Sequence, residues 1–333
     1  MQTKREIQEL LSSAGVSPNR KLGQHFLVDL NLMRLLVDAA QIRPSDVVLE
    51  IGAGTGSLTE ALVEQAGHVV TVELDPTLAG IAQSRLGQAG NVQIINADVL
   101  SGKGTINPAV TEAVTEAQAR LGRIGPIGPM GPIGPTREPR FLLVSNLPYD
   151  VASSVMINLV KGPVTADAMF VTVQKEVAER MTAGPGSRDY GTLSIFLQAT
   201  GAVESIRRLK PSVFWPPPAV DSAMVHYIRD GDKSRRILDM DLFGTVIGLF
   251  IGHRRKMLRA CIKDAPPELG GRACRGLPAR DSRAGRPRHK GGRDLWLRIL
   301  EQHAIDPTRR PEELSPEQYV DLANSCRRFL SPQ

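Results

Sequence analysis

The sequence predicts an α/β fold, a parallel sheet with crossover helices, followed by a small all-helical C-terminal domain. Three observations carry this. Strand-length apolar runs alternate with helix-length amphipathic segments between residues 47 and 174. A glycine-rich turn, Glu50-Ile51-Gly52-Ala53-Gly54-Thr55-Gly56, joins the first run to the helix that follows it. Beyond about residue 235 the apolar spacing is helical throughout.

The elements follow in order. Residues 4–15 form an amphipathic helix with Ile7, Leu10 and Leu11 on one side. A basic loop, Asn19 to Leu27, precedes a second helix over 29–41. Val47–Ile51 is a buried strand, and the glycine turn opens a helix over Leu58–Gln65. A strand over Val69–Glu73, a helix over Pro76–Leu86 and a strand over Val92–Ile95 continue the alternation. Residues 104–140 break it. Thr105–Leu121 is rich in Ala, Thr and Glu and reads as a loose helix. Gly125 to Thr136 then carries four Gly-Pro-x triplets, too few for a collagen-type helix, so about 104–140 reads as a surface insertion. Strands follow at Phe141–Ser145, Ala168–Gln174, Val203–Arg208 and Ser222–Arg229. Helices are expected over Met240–Gly252, Arg254–Ile262, Leu295–His303 and Pro316–Phe329, with Trp296 in their core. The domain boundary falls at Asp230-Gly231-Asp232-Lys233, giving domains of 1–232 and 233–333. Within the second, 270–293 is irregular: eight Lys/Arg against the single acid Asp281 between Arg272 and Arg293. It reads as a solvated basic loop, an RNA-contacting arm or a local frame error in the source sequence.

Composition bounds the function. The 333 residues are 41% hydrophobic, enough for a sizeable core. A formal charge of +6 favours a polyanionic partner. Three widely spaced cysteines, Cys261, Cys274 and Cys326, with no Cys-x-x-Cys pair, give neither a disulfide framework nor a zinc site, so no metal is expected. The longest apolar run, Leu242 to Gly252, is too short to span a bilayer, and no signal core follows the charged N-terminus. A soluble, cytoplasmic monomer is the expectation.

The chemistry sits at the carboxyl ends of the strands, where open α/β sheets bind ligands. Gly52, Gly54 and Gly56 let the backbone turn and approach a ligand closely. The spacing is Gly-x-Gly-x-Gly rather than the dinucleotide Gly-x-Gly-x-x-Gly, and no Lys-Ser/Thr pair for phosphates stands beside it. Glu73 ends the second strand, where a carboxylate accepts both ribose hydroxyls of an adenosine. Asp98 follows the third strand, placed to meet an adenine amine. A glycine turn with an acid after each of the next two strands is the arrangement that binds S-adenosylmethionine. Asn146-Leu147-Pro148-Tyr149 follows the fourth strand. An exocyclic aromatic amine is a poor nucleophile because its lone pair is delocalised. The Asn146 side-chain oxygen and the Leu147 carbonyl can hold its hydrogens and favour a pyramidal nitrogen. Pro148 stiffens the turn and Tyr149 stacks on the base. The predicted reaction is methylation of the exocyclic amine of a base.

With these residues in view the chain resembles the 16S ribosomal RNA adenine dimethyltransferase family (KsgA/RsmA). The resemblance is carried by Leu22-Gly23-Gln24-His25-Phe26-Leu27, Val72-Glu73-Leu74-Asp75, Asn146-Leu147-Pro148-Tyr149, Gln174 to Arg180, Pro217-Pro218-Ala219-Val220-Asp221-Ser222 and His253-Arg254-Arg255-Lys256. It returns at Glu313 to Tyr319. It implies a Rossmann-like methyltransferase domain with a small helical C-terminal domain. It implies that His25, Leu27, Gly52, Gly54, Gly56, Glu73, Leu74, Asp98, Val99 and Asn146 line the cofactor site, and that Phe214 offers an aromatic face near the target base. Core packing of Phe214 is nearly as well supported by the sequence. Lys21, the Arg207-Arg208-x-Lys210 cluster and Arg254-Arg255-Lys256 are candidate phosphate contacts or solvated faces. The implied activity is transfer of methyl groups to two adjacent adenines near the 3′ end of 16S rRNA in the immature 30S subunit. The competing readings are a resistance-type 23S rRNA adenine methyltransferase, a non-catalytic ribosome-assembly factor and, more distantly, a small-molecule or protein-amide methyltransferase.

Overall fold

Val47–Ile51 (β1) has no exposed residue, as expected of a strand covered by helices on both faces. Around it the chain builds a seven-stranded sheet. The computed structural model describes residues 1–19, 23–102, 104–124, 139–265, 269 and 290–330. The other strands are His68–Glu73 (β2), Val92–Asn96 (β3), Phe141–Asn146 (β4), Ala168–Gln174 (β5), Gly201–Leu209 (β6) and Ser222–Arg229 (β7). Their order across the sheet is β3-β2-β1-β4-β5-β7-β6. Strands β3, β2, β1, β4 and β5 pair in parallel, whereas β7 runs antiparallel to β5 with Ser222 opposite Gln174. The expected parallel sheet is therefore mixed, and the reversal brings the start of β7 to the carboxyl edge.

Helices Lys4–Ser13 (α1), Leu30–Ala40 (α2), Ser57–Val63 (α3) and Pro76–Leu86 (α4) lie close to their expected bounds. Their starts are chemically marked. The Thr3 hydroxyl and Glu6 carboxylate form a reciprocal capping box on α1. Asp75 caps α4 by accepting from the Thr77 and Leu78 N–H groups, with Pro76 in the first turn. Pro108–Ile124 (α5) corrects the reading of 104–140 as insertion. Val110, Ala113, Val114 and Ala117 are buried at helical spacing, and the helix packs on β1, β2 and β3 as a crossover element. The Gly-Pro triplets lie outside the described residues. The chain rejoins the sheet at Arg140, whose guanidinium pairs with Asp46 and donates to the Gln41 carbonyl at 2.9 Å.

The chain divides into two compact units, residues 1–179 with 202–229, and residues 180–201 with 230–333. This differs from a single cut at 232/233, because residues 180–201, with the helix Thr192–Thr200, belong to the second unit. The apolar face of that helix joins the second unit, where the Phe196 ring stands edge-on to Phe243 at 5.4 Å. The second unit also contains helices Met240–Ile251, Lys290–Gln302 and Pro316–Leu330. Trp296 is fully buried there, edge-on to Phe250, and its indole N–H donates to the Leu269 carbonyl at 3.1 Å. The helix expected over Arg254–Ile262 shortens to Leu258–Cys261, preceded by turns. Cys261 and Cys326 are buried, and Cys274 and most of 270–293 lie outside the described residues. Among the described residues no helix is long and apolar enough to cross a membrane.

Candidate active site

A cavity of about 230 Å³ opens at the carboxyl edge of the first unit, bounded by the ends of β1, β2, β3 and β4. The glycine turn forms its floor. Gly52 and Gly54 have φ of +84° and +56°, a region L side chains rarely adopt. Space is also short: a Cβ on Gly54 would lie 2.9 Å from the Phe26 ring, too close without a shift, and one on Gly52 would lie 3.3 Å from Pro148, a tight contact. Gly56 takes a different part from the one expected. It does not line the cavity; at φ +80° it is the N-cap of α3.

Glu73, at the end of β2, is buried with its carboxylate toward the turn. Its oxygens accept from the Gly54 N–H at 2.8 Å and the Asp75 N–H at 2.9 Å. Burial raises its pKa, and these backbone donors oppose the rise. A carboxylate offers about four acceptor sites, so capacity remains for a diol. The Asn96 side chain fastens the same strand end by donating to the Glu73 and Leu74 carbonyls. Leu74 lines the cavity yet is half exposed, an apolar surface suited to a flat ring. Asp98 and Val99 complete that side; the Asp98 carboxylate accepts from the Leu100 N–H at 2.9 Å. The pocket thus joins a diol acceptor, an apolar shelf and a glycine floor, a donor set that fits an adenosine-bearing cofactor.

The opposite wall is Asn146-Leu147-Pro148-Tyr149 with His25 and Leu27. Asn146 is the last residue of β4, and its side-chain amide donates to the His25 carbonyl at 2.9 Å. A carbonyl only accepts, so the amide must turn its NH2 toward His25, which leaves the side-chain oxygen as the other end. The Leu147 N–H is fixed to the Thr172 carbonyl at 3.1 Å. The Tyr149 ring stacks with His25, centroids 5.6 Å apart, and its hydroxyl is 2.9 Å from the Ser222 hydroxyl. Burial raises the Tyr149 pKa, so the phenol stays neutral. His25 is held in turn by a 2.7 Å bond between Nδ1 and the Pro216 carbonyl, which requires the proton on Nδ1.

Phe214 is not part of this wall. It is 3% exposed, faces Leu27 across the short strand pair Phe26–Leu27 with Phe214–Trp215, and belongs to the core. The alternation of that strand turns Phe214 inward, and its neighbour Trp215 stacks on Phe26 instead. Sequence reasoning assigned no role to Ser222 or to Ile7, which lines the cavity from α1. The reversed strand was the missing information for Ser222, and the amphipathic pattern of α1 marked Ile7 as buried without saying against what.

The basic candidates are dispersed. Arg207, Arg208 and Lys210 are exposed, the first two on β6 and so on opposite faces of the strand, with Arg208 3.4 Å from Asp221. Arg254 is committed within the second unit, paired with Glu312 at 2.9 Å and donating to the Arg188 carbonyl at 2.7 Å. Arg255 and Lys256 are exposed, and Lys21 lies outside the described residues. No cluster of three or more metal-ligating side chains occurs among the described residues.

Glu50 is a further buried carboxyl on the cavity wall, accepting from the Thr59 and Thr71 hydroxyls at 2.6 and 2.9 Å. Burial pushes its pKa up to about 8, against those two hydroxyls and with a small addition from Glu73.

Nearly the whole chain is similar to proteins of one known family. Residues 15–269 match the ribosomal RNA adenine dimethylase family model. The ribosomal RNA small subunit methyltransferase A of Pelotomaculum thermopropionicum is 33% identical over 319 residues, covering 96% of this chain and 95% of the relative. The protein of the same name from a Geobacillus species is 31% identical, covering 97% and 96%. Among solved structures, a dimethyladenosine transferase from Plasmodium falciparum superposes with a TM-score of 0.64 at 22% identity, covering 90% of this chain and 96% of that one. The 23S rRNA methyltransferase ErmE gives 0.54 at 20% identity, covering 91% and 99%, a likeness of fold. The chain belongs to the ribosomal RNA adenine dimethylase family, enzymes that take their methyl groups from S-adenosylmethionine.

Proposed function

We propose that this enzyme methylates N6 of two adjacent adenines near the 3′ end of 16S rRNA, twice each, in the immature small subunit. The observation that carries the reading is the oriented Asn146 amide at the cavity wall. S-adenosylmethionine, when bound, supplies an electrophilic sulfonium methyl group. The protein's task is to present the amine. With its NH2 committed to His25, Asn146 directs its oxygen to one amine hydrogen, and the Leu147 carbonyl takes the other. Both acceptors favour a pyramidal nitrogen with its lone pair free, and Tyr149 supplies a face for the base. Orientation and electrostatic alignment account for the acceleration, and no side-chain base is needed before transfer. Glu73 and Asp98 hold the adenosine end.

The small-subunit assignment rests on the names of the relatives that cover nearly the full chain. The +6 charge and exposed Arg207, Arg208 and Lys210 support docking on RNA phosphates. A monomer acting in the cytoplasm fits this role. The test is tritiated S-adenosylmethionine with undermodified 30S subunits, naked 16S rRNA and 50S subunits, followed by nucleoside digestion. Label in N6,N6-dimethyladenosine from 30S is the expected result. Label only in 23S rRNA would transfer the assignment to the large subunit. Tight 30S binding without label would favour an assembly factor.

A further inference from the structure

The residues before α1 are fastened to the cofactor loop. Gln2 is 3% exposed, unusual for a polar side chain so near a chain end. Its amide N–H₂ donates to the Thr55 carbonyl at 3.1 Å, and its amide oxygen accepts from the Thr55 hydroxyl at 2.5 Å. Its backbone N–H donates to the Ser57 hydroxyl at 2.7 Å. Thr55, in the turn that floors the cavity, and Ser57, the first residue of α3, both line it. Five residues on, Ile7 reaches the cavity wall and packs on Leu78 of α4, the helix capped just after Glu73. One arm thus grips both cofactor-binding segments, the glycine turn through Gln2 and the segment after β2 through Ile7. Arg85 shares the Thr55 carbonyl at 2.7 Å, so the turn is held from two sides.

We propose that Gln2 is a positioning residue for cofactor binding, locking the glycine turn so that docking of residues 1–13 and binding of S-adenosylmethionine reinforce one another. The Thr55 backbone cannot shift while Gln2 brackets its hydroxyl and carbonyl together. Coupling of this kind is reciprocal: an arm that improves cofactor affinity is itself tightened by the cofactor. The proposal rests on the cofactor reading of the cavity.

The experiment measures S-adenosylhomocysteine binding by calorimetry and initial rates on undermodified 30S subunits for the full chain, Gln2→Ala and Gln2→Glu. Gln8→Ala, on the exposed face of α1, is the control. Expected for Gln2→Ala is a dissociation constant raised about 10-fold, from the loss of paired buried hydrogen bonds. The KM for S-adenosylmethionine should rise in step, with kcat and the KM for 30S unchanged. Gln2→Glu keeps the acceptor for the Thr55 hydroxyl and should fall between. Unchanged cofactor affinity with a lower Tm would overturn the proposal and leave Gln2 a structural residue. Should Gln2→Ala fail to fold, amide exchange of residues 4–13 in the wild type decides: slower exchange with S-adenosylhomocysteine supports the coupling, and no change overturns it. A wild type that does not bind S-adenosylhomocysteine would sink the cofactor reading itself.

Discussion

The Asn146 amide donates to the His25 carbonyl, 121 residues away in sequence, across 2.9 Å. That bond converts a symmetric-looking amide into a directed one. Asn146→Asp cannot donate and would set a carboxylate against a carbonyl. We predict a kcat loss of about 10²–10³-fold for Asn146→Asp and Asn146→Ala, the usual scale for a lost preorganised hydrogen bond. Cofactor affinity should fall much less. Single-turnover rates and calorimetry separate the two, and equal losses would make Asn146 mainly a cofactor ligand.

The Tyr149–Ser222 bond spans 73 residues and anchors the far end of the ring. Tyr149→Phe and Ser222→Ala each remove it and keep the ring, with an expected loss in kcat/KM of about 10-fold. Tyr149→Ala removes the stacking face and should cost about 100-fold or more. If the bond acts as described, the Phe and Ala changes combined cost little more than either alone. Full additivity would refute the shared contact.

Glu50 makes stability fall as pH rises. Below pH 4.5 it is protonated folded and unfolded alike, and its contribution is fully present. Between 4.5 and about 8 the unfolded chain releases the proton and the folded chain keeps it, so the folded state binds more protons and loses ground. The limiting slope is about 1.4 kcal/mol per pH unit. We predict that Glu50→Gln flattens the fall in Tm between pH 5 and 8. Parallel curves for wild type and variant would assign the pH dependence to other groups.

Helix α5 tests the correction to the insertion. Val114 is 1% exposed against the sheet. Val114→Asp buries an unpaired carboxylate and should cost about 3 kcal/mol or more, whereas Glu116→Ala on the solvent side should stay within about 0.5 kcal/mol. Urea denaturation measures both. A tolerated aspartate would mean the helix is detachable after all.

What was legible follows from range. The strands 168–174 and 222–229 and the helix 76–86 announce themselves by local apolar pattern and a capping residue, and the structure keeps their bounds. That the glycine turn, Glu73, Asp98 and Asn146–Tyr149 come together at one cavity is legible because each sits at or just after a strand end, and the sheet gathers strand ends on one edge. The helix 192–200 was missed because Leu-Ser-Ile-Phe-Leu-Gln-Ala is buried on nearly every side and shows no polar face. Phe214 was ambiguous because the direction of a two-residue strand's side chains is set by its partner, Phe26–Leu27, and not by its own neighbours. Helix α5 looked irregular because its core face is built of Ala and Val, too small to signal burial by hydrophobicity alone.

The Arg140 anchor has a practical consequence. It fixes the chain at the amino end of β4, and Asn146, the residue proposed to hold the target amine, stands at the other end, a strand of six residues away, roughly 20 Å. The Arg140 end of the strand therefore lies on the side remote from the cavity. A fluorophore or affinity handle attached beside Arg140 would sit away from the cavity.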